Sequence, residues 1–304
     1  MSWRALRSLA WGAVAVGVVT PLMRHRLRLR PLAVTVLTWP APVALGVAAP
    51  RSRLRDAGIY ALQMWAYYAQ YDMGDDDPDA QLARLRVDYP IEMDRLIGCG
   101  EEPTRRLQRS LGRPGAVLPH DYALSVVHWA WFLVPHGTCA YMLLRHPEHF
   151  ERSACLIAAT FDVGAVIYWL VPTAPPWWAG ETGAMPPVRR IMAEAGERFW
   201  KRLWQPLYHS VQGNPFAAMP SLHFGTSVMA AHLLSTVGRV PGAAGWSYAL
   251  TLGFGLVYLG EHYVVDLLGG LVLAGAVRLS APLAEPVVGA FAGAVRQLEG
   301  RVAS

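Results

Sequence analysis

Six apolar runs, each close to the length that a helix needs to cross a bilayer, limit what this chain can fold into. A transmembrane helix takes about 20 mainly apolar residues, with a range of roughly 17–25. Runs of this kind occupy residues 57–73, 121–144, 153–172, 221–237, 243–259 and 263–280. The composition agrees, because 53% of the 304 residues are hydrophobic and only 16% are charged, against about 25% charged in an ordinary soluble domain. The sequence therefore predicts an all-α, polytopic transmembrane bundle with a six-span core.

The charge and cysteine content narrow the possible partners. The formal net charge is +5, and such a basic balance is found in nucleic-acid-binding proteins but also in membrane proteins whose cytoplasmic loops carry Arg. With so many apolar runs, we expect a membrane and no nucleic acid. Cys99, Cys139 and Cys155 make no disulfide framework and no zinc-ligand spacing. We expect no metal and no cofactor.

The first 56 residues form a separate basic, membrane-associated segment. Residues 9–23 are short for a span, and 31–50 contain two prolines. Two Arg clusters flank the second stretch, and both cannot obey the positive-inside rule if that stretch crosses the membrane. We therefore expect residues 1–56 to form a surface or re-entrant hairpin rather than two spans.

Two polar stretches interrupt the apolar runs. Residues 74–120 are predicted to be a polar insertion of short surface helices. It opens with an acidic run that we interpret as a solvated turn, a divalent-metal site being the alternative; the run is made of Asp75, Asp76, Asp77 and Asp79. The second stretch, 173–220, lies between two spans, and loops of this length without a domain of their own tend to be functional.

A histidine and an aspartate four residues apart open the last apolar run. On a helix, His262 and Asp266 would meet on one face. The carboxylate can then accept a hydrogen bond from one ring nitrogen, which fixes the tautomer and leaves the other nitrogen to act as a nucleophile or base. By itself such a pair is more often structural than catalytic.

A second motif opens the run at 221–237. Pro220 and Ser221 stand at a helix start, where backbone N–H groups without helical partners can bind phosphate. His223 follows two residues later and is placed to protonate a leaving oxygen. A capped helix start with a hydrogen-bonded histidine is the alternative interpretation.

Three motifs fall on the same membrane face if the spans alternate in direction: residues 172–178, 220–223 and 262–266. The combination resembles the type-2 phosphatidic acid phosphatase superfamily, which carries Pro-Ser-x-His and His-x-x-x-Asp motifs. The match is closer to its inositol-phosphotransferase branch, which includes inositol phosphorylceramide synthase. That branch has Pro-x-x-Pro-Pro-Trp, Pro-Ser-Leu-His and Gly-x-His-Tyr-x-x-Asp-Leu, as stand here at 172–177, 220–223 and 260–267. The resemblance covers residues 120–304 and makes 57–304 the catalytic domain.

The resemblance implies a role for each matching residue. His262 would be the nucleophile that attacks phosphorus, and Asp266 would orient it. His223 would be the general acid for the leaving alkoxide. The substrate phosphate would be bound through the second motif, by Pro220, Ser221 and Leu222. Trp177 of the first motif is either an anchor at the membrane interface or a substrate-binding residue that lines an entry for a lipid tail.

The basic residues of the family pattern are missing. Phosphatase members carry an Arg six residues before the nucleophilic histidine, where this chain has Leu256. The Lys and Arg-Pro of their first motif are not found intact either. Candidates to bind the phosphate charge instead are Arg189, Arg190, Lys201 and Arg202.

The sequence thus predicts a membrane enzyme that transfers a phosphoryl group from a lipid phosphate or phospholipid through a phosphohistidine. The acceptor is water, which makes it a phosphatase, or a hydroxyl such as that of inositol, which makes it a phosphotransferase. A transporter or scaffold that keeps the motifs without catalysis is the alternative. The Arg residues of 51–55 and 145–152 are expected on the cytoplasmic side, which puts the catalytic face outside the cytoplasm in a multi-pass cell-membrane protein.

Overall fold

The structure is a computed structural model that describes residues 3–71, 78–211 and 214–303. The fold is all-α: this part of the chain contains isolated β-bridges but no strand. The helices are α1 Trp3–Leu27, α2 Pro31–Thr38, α3 Pro40–Ala48, α4 Arg53–Tyr71, α5 Pro78–Arg84, α6 Asp88–Ile97, α7 Pro103–Leu111, α8 Pro119–Trp129, α9 Val134–Arg145, α10 Pro147–Leu170, α11 Pro176–Glu181, α12 Ile191–Trp200, α13 Trp204–Val211, α14 Leu222–Val237, α15 Arg239–Tyr258 and α16 Val264–Ala303.

Four helical stretches among the described residues are long and apolar enough to cross a membrane. They are Arg4–Leu27, Pro31–Ala48, Pro147–Leu170 and Val264–Glu299. The last two contain most of the runs at 153–172 and 263–280. The run at 121–144 is broken, because a 3-10 turn at Ala130–Phe132 separates α8 from α9. The protein is thus a polytopic helical membrane protein, while the six-span core and the basic hairpin of residues 1–56 remain predictions.

The chain divides into two compact units, and the first comprises the described residues of 1–74, 140–158 and 277–304. Here Ala10 of α1 packs with Val47 and Ala48 of α3 and with Val295 of α16. Glu299 binds the guanidinium of Arg51 at 2.9 Å. The predicted basic segment is therefore packed on the end of α16 within this unit.

The second unit comprises the described residues of 75–139 and 159–276 and holds all three motifs. Its α14 and α16 approach closely because glycines face each other. A Cβ on Gly270 would lie 2.4 Å from the Ser221 carbonyl oxygen, and one on Gly225 would lie 2.8 Å from the Gly270 carbonyl oxygen. Only residues without a side chain permit this contact, and it brings the second motif against the third.

The polar insertion forms short surface helices, α5 to α7, as predicted, and each exposes several residues while part of it is buried. Ile91 and Asp94 of α6 and Glu102 before α7 are at most 3% exposed. Buried acids of this kind need polar partners, and Asp94 and Glu102 have them in backbone N–H groups and arginines. Within the acidic run, Asp75, Asp76 and Asp77 lie outside the described residues, and Asp79 is exposed in α5.

Candidate active site

His262 lies in the turn between α15 and α16. The chain leaves α15 at Tyr258 and reverses through Gly260, which has φ +84°. A Cβ at this position would lie 2.5 Å from the Arg189 carbonyl oxygen, so the motif requires glycine here. The Leu256 carbonyl oxygen then accepts the N–H groups of Glu261 at 3.0 Å and His262 at 3.2 Å. The residue that replaces the family's Arg thus anchors the histidine through its backbone.

The His262 ring is held on both sides. Its Nδ1 lies 3.2 Å from Asp266 Oδ2, and its Nε2 lies 3.1 Å from His223 Nδ1. Asp266 Oδ2 also accepts the N–H of Tyr263 at 2.9 Å, which fixes the carboxylate. Because an ionised carboxylate only accepts, His262 carries its proton on Nδ1 and presents a lone pair on Nε2. Both His262, 4% exposed, and Asp266, 0% exposed, are buried.

His223 is positioned by aromatic rings around the break between α8 and α9. Its ring centroid lies 4.2 Å from that of Trp131 and 4.9 Å from that of His128. Trp131 is itself fixed, because its Nε1 donates to Thr226 Oγ1 at 2.9 Å. His128 is buried against His223, and its Nδ1 has no hydrogen-bond partner among the described residues.

The first motif is bonded to the other two. The Trp177 N–H donates to the Gly260 carbonyl oxygen at 3.2 Å, which joins it to the third motif. The Thr173 N–H donates to the Phe216 carbonyl oxygen at 2.8 Å, just before the second motif. The structure therefore brings together the three segments that span alternation placed on one face.

The second motif is a capped helix start, and the expectation of several free N–H groups there is wrong. Ser221 Oγ accepts the N–H of Phe224 at 3.3 Å. The Ser221 N–H donates to the Asp266 carbonyl oxygen at 2.9 Å, and the Leu222 N–H donates to Tyr168 Oη at 3.1 Å. These groups are satisfied within the protein because α10 and α16 pack directly on the start of α14.

Pro220 and Leu222 likewise make protein contacts. The Pro220 carbonyl oxygen accepts the hydroxyl of Tyr168 at 2.7 Å. The Leu222 side chain fills the space beside Gly164 of α10, where a Cβ would lie 2.5 Å from it. Both residues are buried, and these contacts fix where α14 begins.

Arg190 is the candidate basic residue that lies beside the motifs. Its guanidinium makes two bonds to Glu261, at 3.1 and 3.2 Å, and lies 3.9 Å from the Trp177 ring centroid. Burial is the largest influence on the pKa of the Glu261 carboxyl and would raise it, but the charge and hydrogen bonds of Arg190, with smaller contributions from His128 and His262, together hold that pKa below its usual value. Since Glu261 precedes His262 in the chain, this ion pair stands next to the predicted nucleophile.

The other three basic candidates are placed differently. Arg189 binds Glu194 at 2.6 Å and donates to the carbonyl oxygens of Arg113 and Ala116 at 2.7 and 2.8 Å, so its donors already hold protein groups. Lys201 and Arg202 are exposed on a 3-10 turn between α12 and α13.

Two acidic residues of this region were missed. Nothing in the sequence indicates Glu261, because the third motif accepts any residue at its position. Asp94 could have been found from its helix position: it shares a face of α6 with Pro90 and Ile91, and all three are buried. An acid on an otherwise apolar helix face indicates a buried partner.

Comparison with known proteins identifies the family. The PAP2 superfamily model matches residues 94–279, which is more than half of the chain. A phosphoinositol dihydroceramide synthase of Bacteroides thetaiotaomicron is 29% identical over 51% of this chain and 57% of its own length. The catalytic subunit of inositol phosphorylceramide synthase of Schizosaccharomyces pombe is 32% identical over 36% of this chain and 28% of its own. The inositol phosphorylceramide synthase of Candida albicans is 32% identical over 49% and 32%, respectively.

The aligned region thus covers about half or less of each curated relative. No solved structure is significantly similar to the chain. The family model begins at Asp94 and ends beyond the third motif, so it includes every residue of the site described above. The chain belongs to the PAP2 superfamily.

Proposed function

We propose that this protein is a membrane enzyme that transfers a phosphoryl group from a phospholipid or lipid phosphate through a phosphohistidine on His262. The observation that carries the proposal is the chain of contacts from Asp266 Oδ2 to His262 Nδ1, at 3.2 Å, and from His262 Nε2 to His223 Nδ1, at 3.1 Å. It joins an oriented nucleophile to a proton donor, which is the arrangement that covalent catalysis requires.

In the first step, the Nε2 lone pair of His262 attacks phosphorus and the bond to the lipid oxygen breaks. This step requires His223 to be protonated on both ring nitrogens; it gives its Nδ1 proton to that oxygen and becomes neutral, and the lipid leaves as an alcohol. Asp266 stabilises the positive ring that forms, as the third member of a catalytic triad does. The substrate has to separate the two histidine rings, because a direct contact of 3.1 Å leaves no room for phosphorus between them.

In the second step, the neutral His223 removes a proton from the acceptor hydroxyl. The acceptor oxygen then bonds to phosphorus, the phosphorus–nitrogen bond breaks, and His262 is regenerated. The same pair of residues thus serves water and an alcohol equally, and the choice of acceptor lies in what reaches the phosphohistidine.

Arg190 is proposed as the residue that balances the phosphate charge. Its ion pair with Glu261 stands beside His262, whereas the donors of Arg189 hold Glu194 and backbone carbonyls. The Arg190 Cζ atom lies 3.9 Å from the centroid of the Trp177 ring, which is a cation–π contact. We expect Arg190→Gln to lower kcat/KM for a lipid phosphate by 10-fold or more, since hydrogen bonds to charged groups contribute about 1.5–3 kcal/mol. Lys201→Gln, which removes an exposed charge, is the matched control; equal losses in both variants would refute the assignment.

The names of the relatives indicate the substrate class. One is named as a synthase of phosphoinositol dihydroceramide. The other two are named as inositol phosphorylceramide synthase or as its catalytic subunit. We propose that the donor here is a phospholipid with an inositol phosphate headgroup and that the acceptor is a long-chain lipid alcohol of the ceramide type. In this proposal inositol belongs to the transferred group, and free inositol as the acceptor is the alternative. Ser221 and its neighbours support the site by fixing α14.

A panel assay tests the proposal. The purified chain is incubated in detergent with phosphatidic acid or with phosphatidylinositol as donor. Each donor is tested with and without dihydroceramide or free inositol, and the products are identified by mass spectrometry. We expect an inositol phosphate adduct of dihydroceramide, absent for His262→Ala. Release of inorganic phosphate from phosphatidic acid alone would show a phosphatase instead. No product from any donor would favour a non-catalytic membrane protein.

We further propose that the protein lies in the cell membrane with its catalytic face outside the cytoplasm. The support is the Arg-rich 51–55 and 145–152 segments, which span alternation puts on the opposite side from the motifs. The test introduces Ala184→Cys, at an exposed position between the first motif and α12, into a variant whose three cysteines are replaced. Labelling in intact cells by an impermeant maleimide is expected; labelling only after lysis would reverse the topology.

A further inference from the structure

Asp94 makes a helix cap over a long sequence distance. Its carboxylate lies at the start of α16, where Oδ1 accepts the N–H of Val265 at 2.9 Å and Oδ2 accepts the N–H of Val264 at 3.0 Å. The side chain is fully buried. The first N–H groups of a helix have no helical partner, and here both of these are satisfied by a residue of α6.

The cap acts on the part of α16 that carries the site. The N–H of Tyr263, one residue earlier, donates to Asp266 Oδ2, and the Asp266 carbonyl oxygen accepts the N–H of Ser221. The Tyr263 ring is buried against Ile91 of the same α6. A movement of the first turn of α16 would therefore displace the Asp266 carboxylate that orients His262. It would also break the hydrogen bond from Ser221 to the Asp266 carbonyl oxygen, which fixes where α14 begins.

Charged groups surround Asp94 on each side. Asp266 on α16 and Glu102 ahead of α7 are like charges, and Glu102 is paired with Arg95 at 2.6 Å and with Arg105 at 3.2 Å. Burial raises the pKa of the Asp94 carboxyl to about 6; the bonds from Val265 and Val264 oppose this rise, and Asp266 and Glu102 add to it. Asp94 therefore ionises just below neutral pH. In the ionised form both oxygens are strong acceptors, whereas protonation turns one of them into an O–H donor and weakens it as an acceptor.

We propose that Asp94 is a positioning residue for the nucleophile: its ionised carboxylate holds the first turn of α16 so that Asp266 and His262 meet. The inference rests on the proposed function, because it assigns Asp94 to the phosphorylation step at His262. The Asp94 carboxylate binds the N–H groups of Val264 and Val265. It would therefore change the rate of that step only by positioning Asp266 and His262.

The test compares the wild type with Asp94→Asn across pH. An asparagine has the shape of a protonated aspartate, with one acceptor oxygen. The burst of nitrophenolate from nitrophenyl phosphate is measured for both proteins in detergent between pH 5 and pH 8. Because both carry the same histidines, the ratio of their burst rates cancels the histidine titrations. We expect the wild type to be faster by about 10-fold to 100-fold at pH 7.5, and the ratio to fall towards one below pH 6.

A matched control and a second variant keep the inference open to refutation. Asp88→Asn changes an exposed acid on the same helix and should give a ratio near one at every pH. If Asp94→Asn yields no folded protein by thermal unfolding, Asp94→Glu replaces it and should again be slower than the wild type at pH 7.5, since its oxygens are displaced by one methylene.

A ratio that does not change with pH, or wild-type rates for the Asp94 variant, would overturn the positioning role. If instead the wild type releases no nitrophenolate and also gives no product in the lipid panel, the phosphohistidine function is refuted. The two failures are therefore distinguishable.

Discussion

Replacing His223 should separate two classes of substrate. A lipid alkoxide is a poor leaving group that needs a proton as its bond breaks, whereas nitrophenolate leaves without one. His223 Nδ1 lies 3.1 Å from His262 Nε2, the atom proposed to attack phosphorus. General acid catalysis is typically worth about 10²–10⁴-fold, so His223→Ala should lower turnover of a lipid phosphate by that factor while sparing much of the burst with nitrophenyl phosphate.

The packing around His223 supplies a control for the cavity. His223→Ala leaves a gap between Trp131 and His128, whose ring centroids lie 4.2 and 4.9 Å from that of His223. His223→Phe refills the gap with a ring that carries no proton. If the loss comes from the missing proton, both variants lose lipid turnover by similar factors; if it comes from collapse of the site, His223→Phe recovers activity.

The assay is the release of nitrophenolate and of lipid alcohol by each purified variant in detergent, with His262→Ala beside them. His262→Ala should show neither activity, because no phosphoenzyme forms. A full burst from His262→Ala with none from His223→Ala would refute the reasoning and exchange the two roles.

Three further perturbations test other parts of the site. Asp266→Asn should give activity between those of the wild type and His262→Ala in the same burst assay, since the ring stays in place but loses control of its tautomer; wild-type activity would contradict this. Gly270→Ala places a Cβ 2.4 Å from the Ser221 carbonyl oxygen, whereas Gly275→Ala on the same helix meets nothing within 4 Å. We expect turnover to fall by about 100-fold in the first variant and to stay unchanged in the second, and equal activities would contradict the close packing of α14 on α16. Excess chelator should leave turnover intact while vanadate inhibits it, and a loss of activity that magnesium restores would show a metal requirement.

The sequence was most informative where the chemistry is local. The spacing of His262 and Asp266 predicts their contact from helix geometry alone, and the structure keeps it even though His262 precedes the first residue of α16. Alternation of apolar spans was enough to bring the three motifs to one place. Those inferences need only the order of the segments.

What the sequence could not supply are contacts between distant segments. Asp94 binds N–H groups about 170 residues away, and no local pattern contains that pairing. Hydropathy predicts one span over 121–144, because it measures only the apolar content of the run. It does not show the break at which Trp131 packs against His223. The sequence predicts N–H groups without hydrogen-bond partners in the second motif, because their actual partners, Tyr168 and Asp266, come from other helices.

The central claim is that phosphorus becomes bonded to His262, and trapping that bond tests it most directly. His223→Ala treated with nitrophenyl phosphate should form the intermediate but break it down slowly, because no base remains to activate the acceptor. After an alkaline quench and proteolysis, peptide mass spectrometry should find the added phosphoryl group on His262, with none in a variant that also carries His262→Ala. Phosphate on another residue, or continued nitrophenolate release with no phosphorylated peptide, would contradict the account.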